Sequence, residues 1–173
     1  MEAKKKVSKV LILGLSGKAK DNREKGGGVF RSISNLVNSN DFKKEFDYDL
    51  FDDSNTSKSL LQLFLQTFTI FFSLSCRLKK GNYDLVFLHC NSVSFDFIKK
   101  FLTLIIIKMS STKVIVRYGG SLSFNFFSIK YFYSIFSLFF SMQNGIVVQG
   151  NIGKEFYSRF KVKNVFTEAN FVK

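Results

Sequence analysis

Short apolar runs alternate along this chain with longer segments in which apolar residues recur at helical spacing. The short runs predict six strands, at residues 10–15, 46–51, 83–89, 113–118, 145–149 and 164–166. The segments between them predict helices at residues 30–37, 57–78, 126–142 and 151–160, and one that begins at Ser94. Repeated strand–helix alternation builds a parallel sheet with helices on both faces. The sequence therefore predicts an α/β, Rossmann-like fold that spans residues 1–173 as a single domain.

Three of the predicted helices have apolar faces. In the segment 57–78 the face combines Leu61, Phe64, Phe68, Phe71 and Phe72. The helix that begins at Ser94 is expected to bury Ile98, Phe101, Leu102, Ile105 and Met109 and to point Lys99, Lys100 and Lys108 toward water. In the segment 126–142 the apolar residues are Ile129, Phe132, Phe136, Phe139 and Phe140, which favours a core-facing helix over a membrane-binding one.

The charge of the chain is strongly one-sided, with 26 Lys and Arg residues against 13 Asp and Glu residues and a net charge of +13. Such a balance indicates an anionic partner, which could be a nucleic acid, a membrane surface or a phosphorylated small molecule. The basic residues are mostly scattered, although residues 4–6 and the pair Lys79 and Lys80 are adjacent in sequence, and no RNA-binding aromatic motif is present. Nucleic acid therefore ranks below a nucleotide sugar or a membrane surface as the partner.

Cysteine usage and hydropathy indicate a cytoplasmic protein. Cys76 and Cys90 lack metal-ligand spacing and do not indicate a disulfide, and lone thiols fit a reducing cytosol. The apolar run near residue 10 is too short for a signal peptide, and no segment is both long enough and apolar enough to span a bilayer. No metal is expected, because no ligand cluster can be assembled from the spacing of the residues.

A glycine run, Gly26, Gly27 and Gly28, lies between the first predicted strand and the first predicted helix. Glycine lets backbone N–H groups approach a phosphate, and a helix N-terminus favours negative charge. The run lies too far from the strand for a dinucleotide fingerprint, and the Lys-Ser/Thr pair of a P-loop does not follow it. It predicts either an anion-binding loop of another nucleotide- or sugar-phosphate-binding class or a flexible turn.

Polar residues and glycines follow the predicted strands, at the edge where parallel sheets bind ligands. His89 ends the third strand, where it could act as a base, bind an anion or bond a loop carbonyl. Arg117, near the end of the fourth strand, requires an anionic ligand or an acidic side chain, since an unpaired buried charge is costly. Tyr118, Gly119 and Gly120 follow it directly.

Three segments resemble the N-terminal half of GT-B glycosyltransferases, in particular the large family-4 group. Residues 25–29 are similar to that family's glycine-rich first loop. Residues 83–91 are similar to its Asp-hydrophobic-hydrophobic-His-x-His strand, and His89 stands at the second histidine. Residues 114–121 are similar to its strand that ends in His-Gly-Gly. The order and spacing of the three segments also resemble those of the family.

Four positions depart from the family's pattern. Phe87 replaces the first histidine of the strand motif, and Tyr118 replaces the histidine before the paired glycines. The tail at residues 165–173 resembles the family's Pro-Asn-Gly-Val-Asp segment, although Ala169 replaces its proline and Phe171 its glycine. In the family this tail leads into a second Rossmann domain that carries the nucleotide contacts, and the chain is expected to lack that domain.

The resemblance implies the acceptor-side domain of an enzyme that transfers a sugar from a nucleotide-sugar donor to a saccharide or lipid-linked acceptor. The implied site consists of the catalytic residues His89 and Tyr118 and the co-substrate-binding residues Gly26, Gly27, Gly28, Arg117, Gly119 and Gly120. The nucleotide sugar is a co-substrate, and no further cofactor is implied. The implied partners are a donor-binding domain or subunit and a peripheral contact at the inner face of the membrane.

Two other functions stay open. One is a non-catalytic module that recruits a donor-binding subunit to the membrane, which an exposed apolar patch would favour. The other is a small nucleotide-binding regulator of flavodoxin-like shape, for which Asp52 and Asp53 after the second strand are the candidate ribose-binding acids.

Overall fold

A computed structural model of the chain describes residues 8–14, 28–53, 59–91, 94–119, 130–149, 154, 157, 160, 162 and 164–168. The strands within these ranges are β1 (Ser8–Leu13), β2 (Phe46–Phe51), β3 (Leu85–Asn91), β4 (Lys113–Gly119), β5 (Gly145–Gln149) and β6 (Val165–Glu168). The helices are α1 (Gly28–Asn38), α2 (Asn40–Glu45), α3 (Leu60–Gly81), α4 (Ser94–Met109) and α5 (Lys130–Ser141).

The strands form one parallel sheet in the order β2-β1-β3-β4-β5-β6, which confirms the predicted α/β, Rossmann-like fold. Each strand overlaps a predicted one, and β2 and β5 match the prediction to the residue. The short helix α2 lies outside the predicted helices, because it buries no residue and so has no apolar periodicity to reveal it. The predicted helix at residues 151–160 and the start of the segment 126–142 fall largely outside the described residues.

By its internal contacts the chain divides into two compact units, Met1–Phe87 and Leu88–Lys173. The core of the first unit forms around β1, whose residues Val10–Leu13 are buried because an interior strand of a parallel sheet is covered on both faces. Ile33 of α1 packs against β1. The prediction of a single domain stays a prediction.

An aromatic cluster fills the core of the second unit. Phe140 of α5 lies at its centre, with ring centroids 4.8 Å from Phe160, 5.1 Å from Tyr157 and 5.9 Å from Tyr118. Phe139 and Phe136 of the same helix are also buried. These three phenylalanines confirm the predicted core-facing side of α5, whereas Ile129 and the side chain of Phe132 lie outside the described part of the chain.

The predicted buried face of α4 is wrong at Leu102 and Met109, while Phe101 and Ile105 are half-buried and the side chain of Ile98 lies outside the described part of the chain. Lys100, expected in water, is only 4% exposed, and Met109, expected in the core, is 81% exposed. Leu102 is also exposed, while Leu104 and Ile107 are fully buried. The cause is a run of aliphatic residues that makes the helix apolar on nearly every side. Periodicity alone then does not select the face that packs.

Candidate functional site

His89, Arg117 and Glu168 come together at the carboxyl ends of three strands. His89 lies on β3, Arg117 on β4, and Glu168 is the last residue of β6. The sheet register pairs Arg117 with Val147 of β5 and Val147 with Phe166 of β6. Paired residues, and residues two apart on a strand, share a face of the sheet. Arg117 and Glu168 therefore share a face, and Arg117 reaches across β5.

The guanidinium of Arg117 joins the other two side chains. Its Nε donates to Oε2 of Glu168 at 2.7 Å, and its Nη1 lies 3.3 Å from Nδ1 of His89. His89 and Arg117 are only 3% and 7% exposed, while the Glu168 side chain is about one third exposed, at 37%. Of the two partners predicted for Arg117, an acidic side chain or an anionic ligand, the structure supplies the acidic side chain.

The contact with Arg117 favours one tautomer of the His89 imidazole. A guanidinium has only donors, so Nδ1 of His89 must accept and the ring proton lies on Nε2. In this tautomer Nε2 is a hydrogen-bond donor, and the lone pair on Nδ1 is already engaged. The geometry favours binding of an electronegative atom over the role of a general base.

Tyr118 lies on the opposite face of the sheet from Arg117, since neighbouring strand residues point to opposite sides. Its ring stacks on Tyr157 at a centroid distance of 4.9 Å, and its hydroxyl accepts a hydrogen bond from Nε2 of Gln143 at 2.8 Å. Burial raises the pKa of Tyr118 well above its ordinary value. The hydroxyl therefore stays protonated and acts as part of the core. The structure does not bring Tyr118 together with His89 and Arg117.

The predicted glycines are only partly described. Gly28 is the first residue of α1, so the expected helix does begin on the glycine run. Gly119 is the last residue of β4, directly after Tyr118. Gly26, Gly27 and Gly120 lie outside the described residues.

A second polar cluster, which the sequence analysis missed, lies in the first unit. The Tyr83 hydroxyl, just before β3, donates to Oδ2 of Asp49 on β2 at 2.5 Å and accepts from Nε of Arg77 on α3 at 3.2 Å. Nη2 of Arg77 lies 3.5 Å from Oδ1 of Asp49, and Nζ of Lys9 lies 3.8 Å from Oδ2.

This cluster has a structural role. The hydrogen bond from Tyr83, followed by the charges of Arg77 and Lys9, holds the pKa of Asp49 below its usual value against the opposing effect of burial. Burial, with the bond to Asp49, raises the pKa of Tyr83. Lys9 and Tyr83 lie at or before the amino ends of β1 and β3, whereas parallel sheets bind ligands at the carboxyl ends. Tyr83 is the first residue of the predicted third strand, and no local pattern in the sequence indicates its contact with Asp49, 34 residues away.

The described residues contain no group of three or more His, Cys, Asp or Glu side chains placed to hold a metal ion. Among the helices in the same part of the chain, none combines the length and apolarity needed to cross a membrane. No protein-family model, no curated protein and no solved structure matches the chain at a significant level.

Proposed function

We propose that the chain is the acceptor-side domain of a glycosyltransferase that moves a sugar from a nucleotide-sugar donor to a saccharide or lipid-linked acceptor. The observation that carries this proposal is the position of His89. The buried guanidinium of Arg117, paired with Glu168, contacts it at the carboxyl end of a parallel Rossmann-like sheet. Ligands bind at that edge in such sheets. The resemblance of residues 25–29, 83–91 and 114–121 to family-4 enzymes supports the reaction class.

The proposed chemistry uses His89 as a hydrogen-bond donor. When a sugar leaves a nucleoside diphosphate, negative charge develops on the leaving phosphate. The N–H at Nε2 of His89 is suited to bind a phosphate or sugar oxygen in that transition state, and Arg117 keeps the ring in the correct tautomer. Tyr118 supports the end of β4 from the other face. Gly26, Gly27, Gly28, Gly119 and Gly120 would contribute backbone N–H groups to the co-substrate.

A donor-binding domain or subunit would complete the site, and we propose that the assembly works in the cytoplasm at the membrane surface. The test is a transfer assay on the complete enzyme, with labelled nucleotide sugars and both saccharide and lipid-linked acceptors. We expect His89→Ala to lower kcat by about 100-fold, the cost of one transition-state donor. His89→Gln, whose amide can donate, should recover part of the loss.

Thr167→Ala, an exposed residue next to Glu168 on β6, is the matched control and should keep full activity. An assembled enzyme that transfers no sugar from any donor would contradict the proposed function. Full activity of His89→Ala in a working transferase would contradict the role of His89 but not the proposed function.

The strand order favours a second candidate, a nucleotide-binding regulator. The first five strands follow the order 2-1-3-4-5 that is typical of flavodoxin-like proteins. Asp53, the second residue after β2, is buried. Calorimetric titration of the chain alone with nucleotides separates the two functions. Tight binding without any partner would favour the regulator, whereas the acceptor-side domain should bind nucleotides only when the donor side is present.

A further inference from the structure

Helix α3 carries a stripe of exposed apolar side chains. The stripe, which we call the α3 stripe, consists of Leu61, Phe64, Leu65, Phe68 and Phe72. Each of these side chains is between 58% and 73% exposed. Contiguous exposed apolar patches of this kind are uncommon on monomeric proteins and mark interaction surfaces.

The stripe is separate from the side of α3 that packs onto the first unit. Leu74 and Leu78 form the packed side and are buried. Four of the five residues of the predicted apolar face are therefore exposed, and the fifth, Phe71, is half-buried. Within the stripe the rings of Phe64 and Phe68 contact each other, with centroids 4.8 Å apart.

Basic residues extend the stripe toward the end of the helix. Lys79 follows Phe72 by two helical turns, which returns it to the same side of α3, and Lys80 lies beside it. Both lysines are exposed, and the sequence of α3 contains no acidic residue. An apolar strip that ends in cations matches the interface of a bilayer, where acyl chains lie beneath anionic headgroups.

We propose that the α3 stripe docks this protein onto an anionic phospholipid surface, with α3 lying parallel to the membrane plane. The Phe and Leu side chains would enter the boundary between headgroups and acyl chains, and Lys79 and Lys80 would contact lipid phosphates. The chain's net charge of +13 complements such a surface. This inference rests on the membrane contact of the proposed function and deepens it by naming the surface that binds and the lipid charge that it requires. The vesicle assays need no donor, acceptor or catalytic step, so the transferase function can stand even if they fail.

Self-association through the stripe is the weaker explanation. Two copies with a charge of +13 each repel one another. Packing one five-residue stripe against another would bury only roughly 1,000 Å², the lower end of the range for specific protein interfaces. An anionic lipid surface has no such repulsion to overcome.

The test uses a fluorescence reporter that the sequence makes available. The chain has no tryptophan, so Phe68→Trp introduces a single one on the stripe. The variant is titrated with phosphatidylcholine vesicles that contain or lack phosphatidylglycerol. We expect a blue shift of the emission and quenching by brominated acyl chains only when phosphatidylglycerol is present. Emission unchanged at all lipid concentrations would overturn the proposal.

Sedimentation with the same vesicles measures how much the phenylalanines and the lysines each contribute to binding. These variants are made without the tryptophan substitution. Phe68→Gln with Phe72→Gln should weaken binding at least ten-fold, and Lys79→Gln with Lys80→Gln by about 25-fold, or about five-fold per lysine. Met109→Gln, at an exposed apolar residue of α4, is the matched control and should bind like the wild type. All substituted side chains are exposed, and circular dichroism checks that each variant is folded.

Two results would contradict the lipid surface as the occupant. One is unchanged vesicle binding by the double phenylalanine variant. The other is a dimer in analytical ultracentrifugation that the same variant abolishes while vesicles bind neither protein. The second result would assign the stripe to a second copy of the chain.

Discussion

Arg117 donates from Nε to Oε2 of Glu168 at 2.7 Å, across the full width of the intervening strand β5. The same guanidinium approaches Nδ1 of His89 on the neighbouring strand β3. One cation therefore ties together the carboxyl ends of β3, β4 and β6. Arg117 is buried, whereas the Glu168 side chain is about one third exposed, so solvent screens part of the attraction between the two charges.

Removal of the Glu168 carboxylate should lower the stability of the folded protein. Glu168→Gln leaves the buried guanidinium of Arg117 without its counter-charge, and we expect the free energy of unfolding to fall by about 2–3 kcal/mol. Urea unfolding measures the change, and Glu45→Gln, at an exposed residue of α2, is the control. A double-mutant cycle with Arg117→Met should give a coupling energy of about 1 kcal/mol or more. Additive effects would show that the pair contributes no stability.

The Asp49 cluster should make the stability depend on acid pH. The pKa of Asp49 in the folded state lies below its ordinary value of 3.8. Its contribution to stability is therefore present above that unfolded-state pKa and is lost as the pH falls through the lower folded-state pKa. Asp49→Asn should lower stability at about pH 7 and should have a smaller effect at about pH 2.

Urea midpoints of the wild type and Asp49→Asn across this pH range test that prediction. Asp47→Asn, an exposed residue of the same strand, should change the midpoint little at either pH. An equal loss at both pH values would mean that Asp49 stabilises the protein through its shape and not through its charge.

Ser111 adopts a left-handed backbone conformation with φ of 59° in the turn between α4 and β4. A residue with a Cβ pays a conformational cost there that glycine does not. We expect Ser111→Gly to raise the free energy of unfolding by about 0.5 kcal/mol. Thermal and urea unfolding measure the gain.

Ser110→Gly is the matched comparison for that substitution and should destabilise the protein. Ser110 has no positive φ, and its hydroxyl donates to the carbonyl oxygen of Ile107 at 2.6 Å. If both glycine substitutions lowered stability, the left-handed turn would not be the source of strain.

Asn144 connects the amino ends of three strands in the second unit. Its Oδ1 accepts from Nζ of Lys108 at 3.1 Å and from the backbone N–H of Val114 at 2.9 Å, and its carbonyl accepts from Asn164. Asn144→Ala leaves the N–H of Val114 without its acceptor, and we expect a loss of about 1–3 kcal/mol.

Asn144→Asp keeps an acceptor at the same place and should recover most of that loss, as measured by urea unfolding. Asn38→Ala, which removes an exposed bond to Ser34 on α1, should cost little. Equal stability of the alanine and aspartate variants would contradict the acceptor role of Asn144.

The sequence located the strands and the residues at their ends but not the partners of those residues. His89 and Arg117 were identified because polar residues stood out at the ends of apolar strands. Glu168 was missed because it lies 51 residues from Arg117 and beyond the predicted end of the sixth strand. The sequence does imply that Tyr118 and Arg117 lie on opposite faces of the sheet, since adjacent residues of a strand face opposite sides.

The sequence by itself determined the α/β class and the parallel sheet, because each strand and each helix has its own local apolar period and polar boundary. The tertiary structure decided which side of α4 is buried, that the apolar face of α3 is exposed, and that a glutamate of β6 partners Arg117. These outcomes depend on contacts between residues far apart in the chain, and local periodicity carries no information on which distant surface a helix or strand will meet.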